Sequence, residues 1–274
     1  MRILLPPSEG KTPASPDRAP IRLDSLVYPH LADQRLAVGD ALQAASNHPD
    51  ALTILGAGQR VAGDVYRNRT LWQQPAAPAR DIYTGVLYAG AQLSGGRPRH
   101  LAWADKHILI ASGLWGWVRP GDRIPAYRCA MNVDLPGIGP LGPYWRRALK
   151  NTFTQQMEGE LVVDCRSGAY QKAWMPNARV CQEYAIDVVQ VKVVRLTNGY
   201  EKVVSHNAKH WRGLLTQALV KAGGDGLTIN DPGELVEAQP QLFATIRGSL
   251  GSDHLSGARL EGGDGCWTLT LITA

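Results

Sequence analysis

No apolar run in the 274 residues is long enough to cross a bilayer. The opening "RILLPP" is too short for the hydrophobic region of a signal peptide, and prolines follow at once. These absences lead us to expect a cytoplasmic protein with no membrane partner. The four cysteines, Cys129, Cys165, Cys181 and Cys266, form no C-x-x-C pair. A zinc site or a disulfide framework is therefore not expected, and ordinary reduced thiols are. Nor is there a strong excess of one charge: 29 Lys and Arg stand against 24 Asp and Glu, a net +5. That balance permits an anionic partner, such as nucleic acid or a phosphorylated metabolite, without demanding one. No internal repeat occurs. G-x-S-x-G, H-E-x-x-H and a post-strand G-x-G-x-x-G are all missing. His206 and His210 are four apart, but no carboxylate pattern accompanies them, so no metal or cofactor is expected. What remains is a globular composition, 44% hydrophobic and 19% charged.

The chain begins "MRILLPPSEGKT", a short apolar run ending in Gly10-Lys11-Thr12. A nucleotide-binding P-loop would need glycine five residues before Gly10, where Leu5 stands. Pro6 and Pro7 occupy positions where backbone N–H groups should cradle phosphate, and proline has none. Pro13 follows Thr12, so the helix that should complete the site does not form. A Walker-type site is excluded. The stretch still sets Ser8, Glu9, Lys11 and Thr12 just past a buried strand, where α/β sheets build their sites. A solvated polar loop would look the same.

Apolar spacing predicts one or two helices over Leu23 to Asn47, broken near Pro29, and a similar region over Leu55 to Trp72. "HILIASG" (His107 to Gly113) and "ELVVDCRSG" (Glu160 to Gly168) suit buried strands that deliver loops to one sheet edge. "DVVQVKVVRL" (Asp187 to Leu196) reads as a half-exposed strand, with "YEKVVSH" as its hairpin partner through Asn198-Gly199. Lys209 to Ala222 reads as a helix ending at Gly223-Gly224, and "CWTLTLIT" as a closing strand. The alternation, with no clean linker, predicts one mixed α/β domain over residues 1–274.

Four stretches carry chemical character. In "SGLWGWVRPGDRIPAYR" (Ser112 to Arg128), Gly113 and Gly116 could offer amides to an anion, and Arg119 and Arg128 planar forks. The same residues suit a structural turn with Trp115 and Trp117 as core anchors. "DLPGIGPLGPYWRRALK" (Asp134 to Lys150) holds a hairpin of the kind that grips DNA phosphate in helix-hairpin-helix motifs, with Arg146, Arg147 and Lys150 as contacts. A surface loop is the competing reading, because "RIPAYRCAMNVD" makes a poor first helix. "DCRSGAYQKAW" sets Asp164, Ser167 and Tyr170 at a strand end. "NAKHWRG" sets Lys209 and Arg212 three apart at a helix start, on one face. Cations there oppose the helix dipole, which points to function rather than helix stability.

Taken together and in order, "LLPPSEGKT", "IYTGVLY", "SGLWGWVRPGDRIPAYR", "DCRSGAYQKAW" and "NAKHWRG" resemble the YaaA family of peroxide-stress proteins. The resemblance spans nearly the whole chain. It implies a single-domain mixed α/β fold with a positively charged cleft, and a helix-hairpin-helix-like element around the S-G-L-x-G block. It also implies binding of double-stranded DNA and protection during peroxide stress by limiting free iron. Carried over by position, its residues here are Lys11, Thr12, Tyr83, Thr84, Gly85, Ser112, Gly113, Gly116, Arg119, Tyr127, Arg128, Ser167, Tyr170, Lys209 and Arg212.

Two main functions follow as expectations. One is a monomeric protein that holds duplex DNA without base readout. Its contacts would be Thr12, Gly113, Gly116, Arg119, Arg128, Arg146, Arg147 and Arg212. The other is an enzyme on a small anionic or nucleobase-containing substrate. Lys11, Ser112, Tyr127, Ser167 and Lys209 would be its catalytic groups, in a pocket shared with Arg119, Arg128 and Arg212. A lysine crowded by arginines has a lowered pKa and could act as base or nucleophile. Iron binding ranks below both, because no dense His and carboxylate cluster occurs.

Overall fold

The computed structural model describes residues 1–149, 152–197, 200–204, 207–250 and 255–273. The Asn198-Gly199 turn, Lys150 and His206 lie outside them. The early strands are β1 (Arg2–Leu5), β2 (Ala77–Pro78), β3 (Ile108–Ser112), β4 (Gly116–Val118), β5 (Arg123–Ile124), β6 (Asp134–Leu135) and β7 (Gly139–Pro140). The later ones are β8 (Leu161–Asp164), β9 (Asp187–Thr197), β10 (Tyr200–Val203), β11 (Leu255–Gly263) and β12 (Cys266–Thr273).

Eight of these form one sheet in the order β11-β12-β9-β8-β1-β3-β4, with β10 also beside β9. The inner strands β12, β9, β8, β1 and β3 are parallel. β11 and β4 close the two edges antiparallel. β3 and β8 are buried along their whole length, and β1 after Arg2. The apolar runs Ile3 to Leu5, Ile108 to Ala111 and Leu161 to Val163 are what a sheet covered on both faces requires. β9 alternates instead, burying Val191 and Val193 while Gln190 and Lys192 face water, as its sequence period predicts.

Four-residue β8 is much shorter than β9. It pairs with residues 187–190 of β9, and β10 pairs further along the same edge with 194–197. In the gap between them, Arg212 Nε and Nη2 donate to the Val191 carbonyl at 3.1 and 2.8 Å. A side chain thus supplies what the ladder leaves open.

The helix Ala208–Gly224 lies against the helix Val86–Ala91 with almost no gap. A Cβ at Gly213 would stand 2.1 Å from the Leu87 carbonyl oxygen, and one at Gly90 2.8 Å from that of His210. Only two glycines facing each other allow this approach. The crossing sets Lys209 and Arg212 beside the segment that begins at Thr84.

No helix-hairpin-helix element is formed among the described residues. "LPGIG" is the tight β6–β7 hairpin, preceded by irregular chain and followed by the helix Leu141–Leu149. The S-G-L-W-G block is the turn between β3 and β4, so strands flank it on both sides. Two fully buried arginines fix turns of the fold, Arg35 the one between β3 and β4 and Arg166 the one after β8. Arg35 donates to the carbonyls of Val27, Tyr28, Trp115 and Trp117; burial pulls its pKa down to about 10. Arg166 grips Asp164 in a bidentate pair, Nε to Oδ1 at 2.8 Å and Nη2 to Oδ2 at 2.9 Å, and also donates to the Tyr170 and Trp174 carbonyls. Asp164 therefore holds the turn after β8 in shape and is not presented to a ligand. Among the described residues no helix is long and apolar enough to cross a membrane.

Candidate functional site

From β1 the chain passes to β3 on one side and later to β8 on the other. A parallel sheet opens a crevice at the carboxyl ends of its strands where the order reverses in this way, here at β1. The loop leaving β1 forms one wall. Pro6 and Pro7 stiffen it, and the Tyr88 hydroxyl donates to the Pro6 carbonyl at 2.8 Å. Ser8 then makes a turn: its hydroxyl donates to the Gly10 carbonyl at 2.5 Å and accepts from the Thr84 N–H at 2.9 Å. Lys11 pairs with Tyr83 as an isolated bridge, and the Thr12 N–H reaches the Ile82 carbonyl at 2.9 Å. The Y-T-G segment is thereby fastened along the loop from β1.

The Lys11 side chain folds behind this turn. Its Nζ donates to the Ser8 carbonyl at 2.7 Å and, more weakly, to the Glu9 carbonyl at 3.4 Å. It stands 4.3 Å from the ring centre of Tyr127 and 5.5 Å from that of Tyr83. Burial, and then the nearby Arg128 guanidinium, lower its pKa to about 7. Near neutrality it is therefore divided between ammonium and free amine. Arg128 is itself held by Glu9, Nη2 to Oε2 at 2.8 Å, while Asn68 accepts from its backbone N–H at 2.9 Å. Cys129 is buried next to this group, and burial pushes its thiol up to about 12.

A chain of hydroxyls runs inward from Lys11. Tyr83 and Tyr127 share a hydrogen bond of 2.8 Å, and Tyr127 and Ser112 one of 2.6 Å. The Ser112 oxygen already accepts the N–H groups of Leu114 and Trp115. Its own proton therefore points to Tyr127, and that of Tyr127 to Tyr83. Burial raises the pKa of both tyrosines, keeping them neutral.

In front of the turn lies a cavity of about 230 Å³. Pro6 to Gly10 and Thr84 to Tyr88 form one side of it, and Cys165, Ser167 and Tyr170 the other. Lys209 and Arg212 reach it from their helix. Lys209 is exposed, and Arg212 is half-buried with part of its fork on Val191. Tyr170 receives a hydrogen bond from the Met131 backbone, and burial raises its pKa.

The structure thus brings together Ser167, Tyr170, Thr84, Gly85, Lys209 and Arg212 at the cavity, with Lys11, Tyr83, Tyr127, Ser112 and Arg128 in the adjoining layer. Other expected contacts lie elsewhere. Thr12 is exposed and lines a different groove with Arg18 and Asp81. Gly113 and Gly116 are buried, pressed against Cys129–Ala130 and Trp145, with no amide open to an anion. Because Ser112 pairs with Gly116 and Ile110 with Val118, β4 runs back along β3 and carries exposed Arg119 toward the amino-terminal end of β3, away from the crevice. There Asp122 accepts from the Arg119 N–H at 2.9 Å. Arg146 and Arg147 are exposed on the helix Leu141–Leu149; Arg146 donates to the Lys172 carbonyl and borders a groove with Trp174 and Tyr184. Sequence reasoning passed over Tyr88 and Cys165, which line the cavity. Cys165 carried a signal in its position directly after the short strand "LVVD". Among the described residues no group of three or more His, Cys, Asp or Glu is placed to hold a metal ion.

The fold and site define an α/β protein with a cation-bearing crevice at the reversal point of a mostly parallel sheet. A family model described as "Peroxide stress protein YaaA" matches residues 1–239, and the chain belongs to this family. A UPF0246 protein of Streptomyces coelicolor is 40% identical over 244 residues, covering 88% of this chain and 90% of the relative. One from Corynebacterium efficiens is 35% identical over 237 residues, 86% of this chain and 91% of its own length. A third, from Corynebacterium glutamicum, is 29% identical over 240 residues, 87% and 92%.

Proposed function

We propose that this member of the peroxide-stress family works through a small-molecule site, the crevice beside β1, which takes a compact anionic metabolite. The observation that carries this reading is the meeting of Lys209, Arg212 and Ser167 at one cavity of about 230 Å³. Two cations and a hydroxyl on a concave, partly apolar surface suit one phosphate or carboxylate group with a small body attached. Behind the Ser8–Gly10 turn, Lys11 adds an amine that exchanges a proton near neutral pH. A movement of that turn would put it in contact with the ligand as base or nucleophile.

Duplex DNA is the other ligand class that the net charge of +5 permits. It has less support: the expected hairpin element is not formed, and Arg146 and Arg147 stand apart from the crevice cations.

Calorimetric titration with inorganic phosphate, a mononucleotide and a dicarboxylate, for wild type and Lys209→Ala, tests the proposal. Lys209 has an exposed side chain, so its loss spares the fold. The expected result is saturable binding of at least one anion, weakened on the order of tenfold or more in the variant. Absence of binding by all three, or binding that Lys209→Ala leaves unchanged, would overturn it.

A further inference from the structure

Away from the crevice, two thiols from opposite ends of an 85-residue separation meet. Cys181 lies in the helix Ala178–Glu183, and Cys266 opens β12. Their sulfurs are 4.0 Å apart. Cys181 is buried and Cys266 exposed. The meeting is built by the β11–β12 turn, in which Asp264 and Gly265 both take positive φ, 52° and 75°. This is the two-residue turn that suits Asp-Gly between twisted strands. A Cβ on Gly265 would lie 2.5 Å from the Cys181 Cβ and from the Ile186 carbonyl oxygen, so glycine lets the turn press onto the helix. The contact is anchored on both sides: Val188 N–H donates to the Gly265 carbonyl, and Ile186 N–H to that of Cys181, each at 2.8 Å.

We propose that Cys181 and Cys266 form a peroxide-oxidisable dithiol, with Cys266 as the thiol that meets the oxidant and Cys181 as the one that resolves it. In the first step the Cys266 thiolate attacks one oxygen of hydrogen peroxide. The O–O bond breaks, the other oxygen leaves as hydroxide and takes a proton to become water, and Cys266 becomes a sulfenic acid. In the second, the Cys181 thiolate attacks the Cys266 sulfur; the S–S bond forms, the S–O bond breaks, and a second water leaves. Two thiols and one peroxide yield one disulfide and two waters, with two electrons passing from sulfur to oxygen. The sulfurs must close from 4.0 Å to about 2 Å. Burial, and then the neighbouring Cys266, raise the Cys181 pKa, so Cys181 is not the thiol that ionises first. Cys129 and Cys165 are both buried, and neither has a second thiol recorded beside it as Cys266 has in Cys181. Cys266 also lies beyond residues 1–239 matched by the family model, so this pairing is not carried by that match.

The test is to treat the fully reduced chain with dilute hydrogen peroxide, count free thiols, and map peptides by mass spectrometry without reduction. The expected result is loss of two of the four thiols and a crosslinked peptide joining Cys181 to Cys266. In Cys181→Ser, a sulfenic acid probe such as dimedone labels Cys266; in Cys266→Ser, Cys181 stays reduced. The wild-type measurement stands by itself if either variant fails to fold. A wild-type chain that keeps all four thiols would overturn the proposal. So would oxidation confined to Cys129 or Cys165, a Cys266–Cys266 link between two chains, or Cys266 overoxidised with no crosslink.

Discussion

Lys11 is a cation held where the neutral amine is favoured, and this has a measurable signature in stability. The folded chain holds its proton only below about pH 7, whereas the unfolded chain keeps it up to the ordinary 10.5. Below pH 7 both states are protonated, and the folded state bears the whole cost of the buried charge. Between 7 and 10.5 the unfolded state binds more protons, so stability rises with pH through that window and the cost is gone above it. Lys11→Met removes the titration. Denaturant midpoints of wild type and variant at pH 6 and pH 9.5 check this: the difference shifts toward the wild type at the higher pH. Equal differences at the two values would mean that Lys11 keeps an ordinary pKa. The residue scale also shows where sequence reading stops. That Lys209 and Arg212 share one face at a helix start was legible from their spacing; that Arg212 also fills a gap beside β9 by donating to the Val191 carbonyl was not. Asp164 looked like a site residue, because only burial reveals that Arg166, two positions on, consumes it.

At the scale of elements, the crossing of the helices Val86–Ala91 and Ala208–Gly224 fixes one side of the crevice. Gly213→Ala forces a methyl group toward the Leu87 carbonyl, 2.1 Å from where it would stand. The expected outcome is a loss of about 1–3 kcal/mol in urea unfolding, with weaker anion binding as Lys209 and Arg212 move outward. Gly248→Ala is the matched control. It is also helical, with nothing within 4 Å of an added Cβ, and there the same change stabilises by about 0.5–1 kcal/mol. The buried strands β3 and β8 and the half-exposed β9 were readable, since continuous and alternating apolar patterns report burial directly. "LPGIG" was not, since a Gly-Pro hairpin serves equally between helices or strands, and the irregular chain before it decides. Arg119 was misplaced for a related reason: the β3–β4 turn reverses the chain, and one strand's length sends the residue to the other end of the sheet.

For the whole molecule, the basic groups fall on separate surfaces, which makes two ligand classes separable. Arg146 and Arg147 occupy the helix Leu141–Leu149, while Lys209 and Arg212 face the crevice. Any duplex binding must come from phosphate neutralisation and fall steeply with salt. Paired replacement of Arg146 and Arg147 by alanine lowers it and leaves small-anion binding unchanged. Lys209→Ala has its main effect on the small anion. Anisotropy of a labelled duplex at two salt concentrations, set beside the calorimetry, checks the separation. A Lys209→Ala chain that loses both ligands equally would place them on one surface.

The position of β1 at the reversal point also sets an order of events during synthesis. Ile3 pairs with Ile108 on one side and Val163 on the other, so this inner strand of the sheet emerges from the ribosome roughly 100 and 160 residues ahead of its neighbours. At about 5–20 residues per second, the second of these is on the order of ten to thirty seconds away. Until the first of them, β3, has been made, Ile3, Leu4 and Leu5, all fully buried in the finished fold, have no native strand to pair with, and until β8 follows one edge of β1 stays open. The nascent chain therefore presents a bare apolar strand for much of its translation, and a holding chaperone has its natural target there.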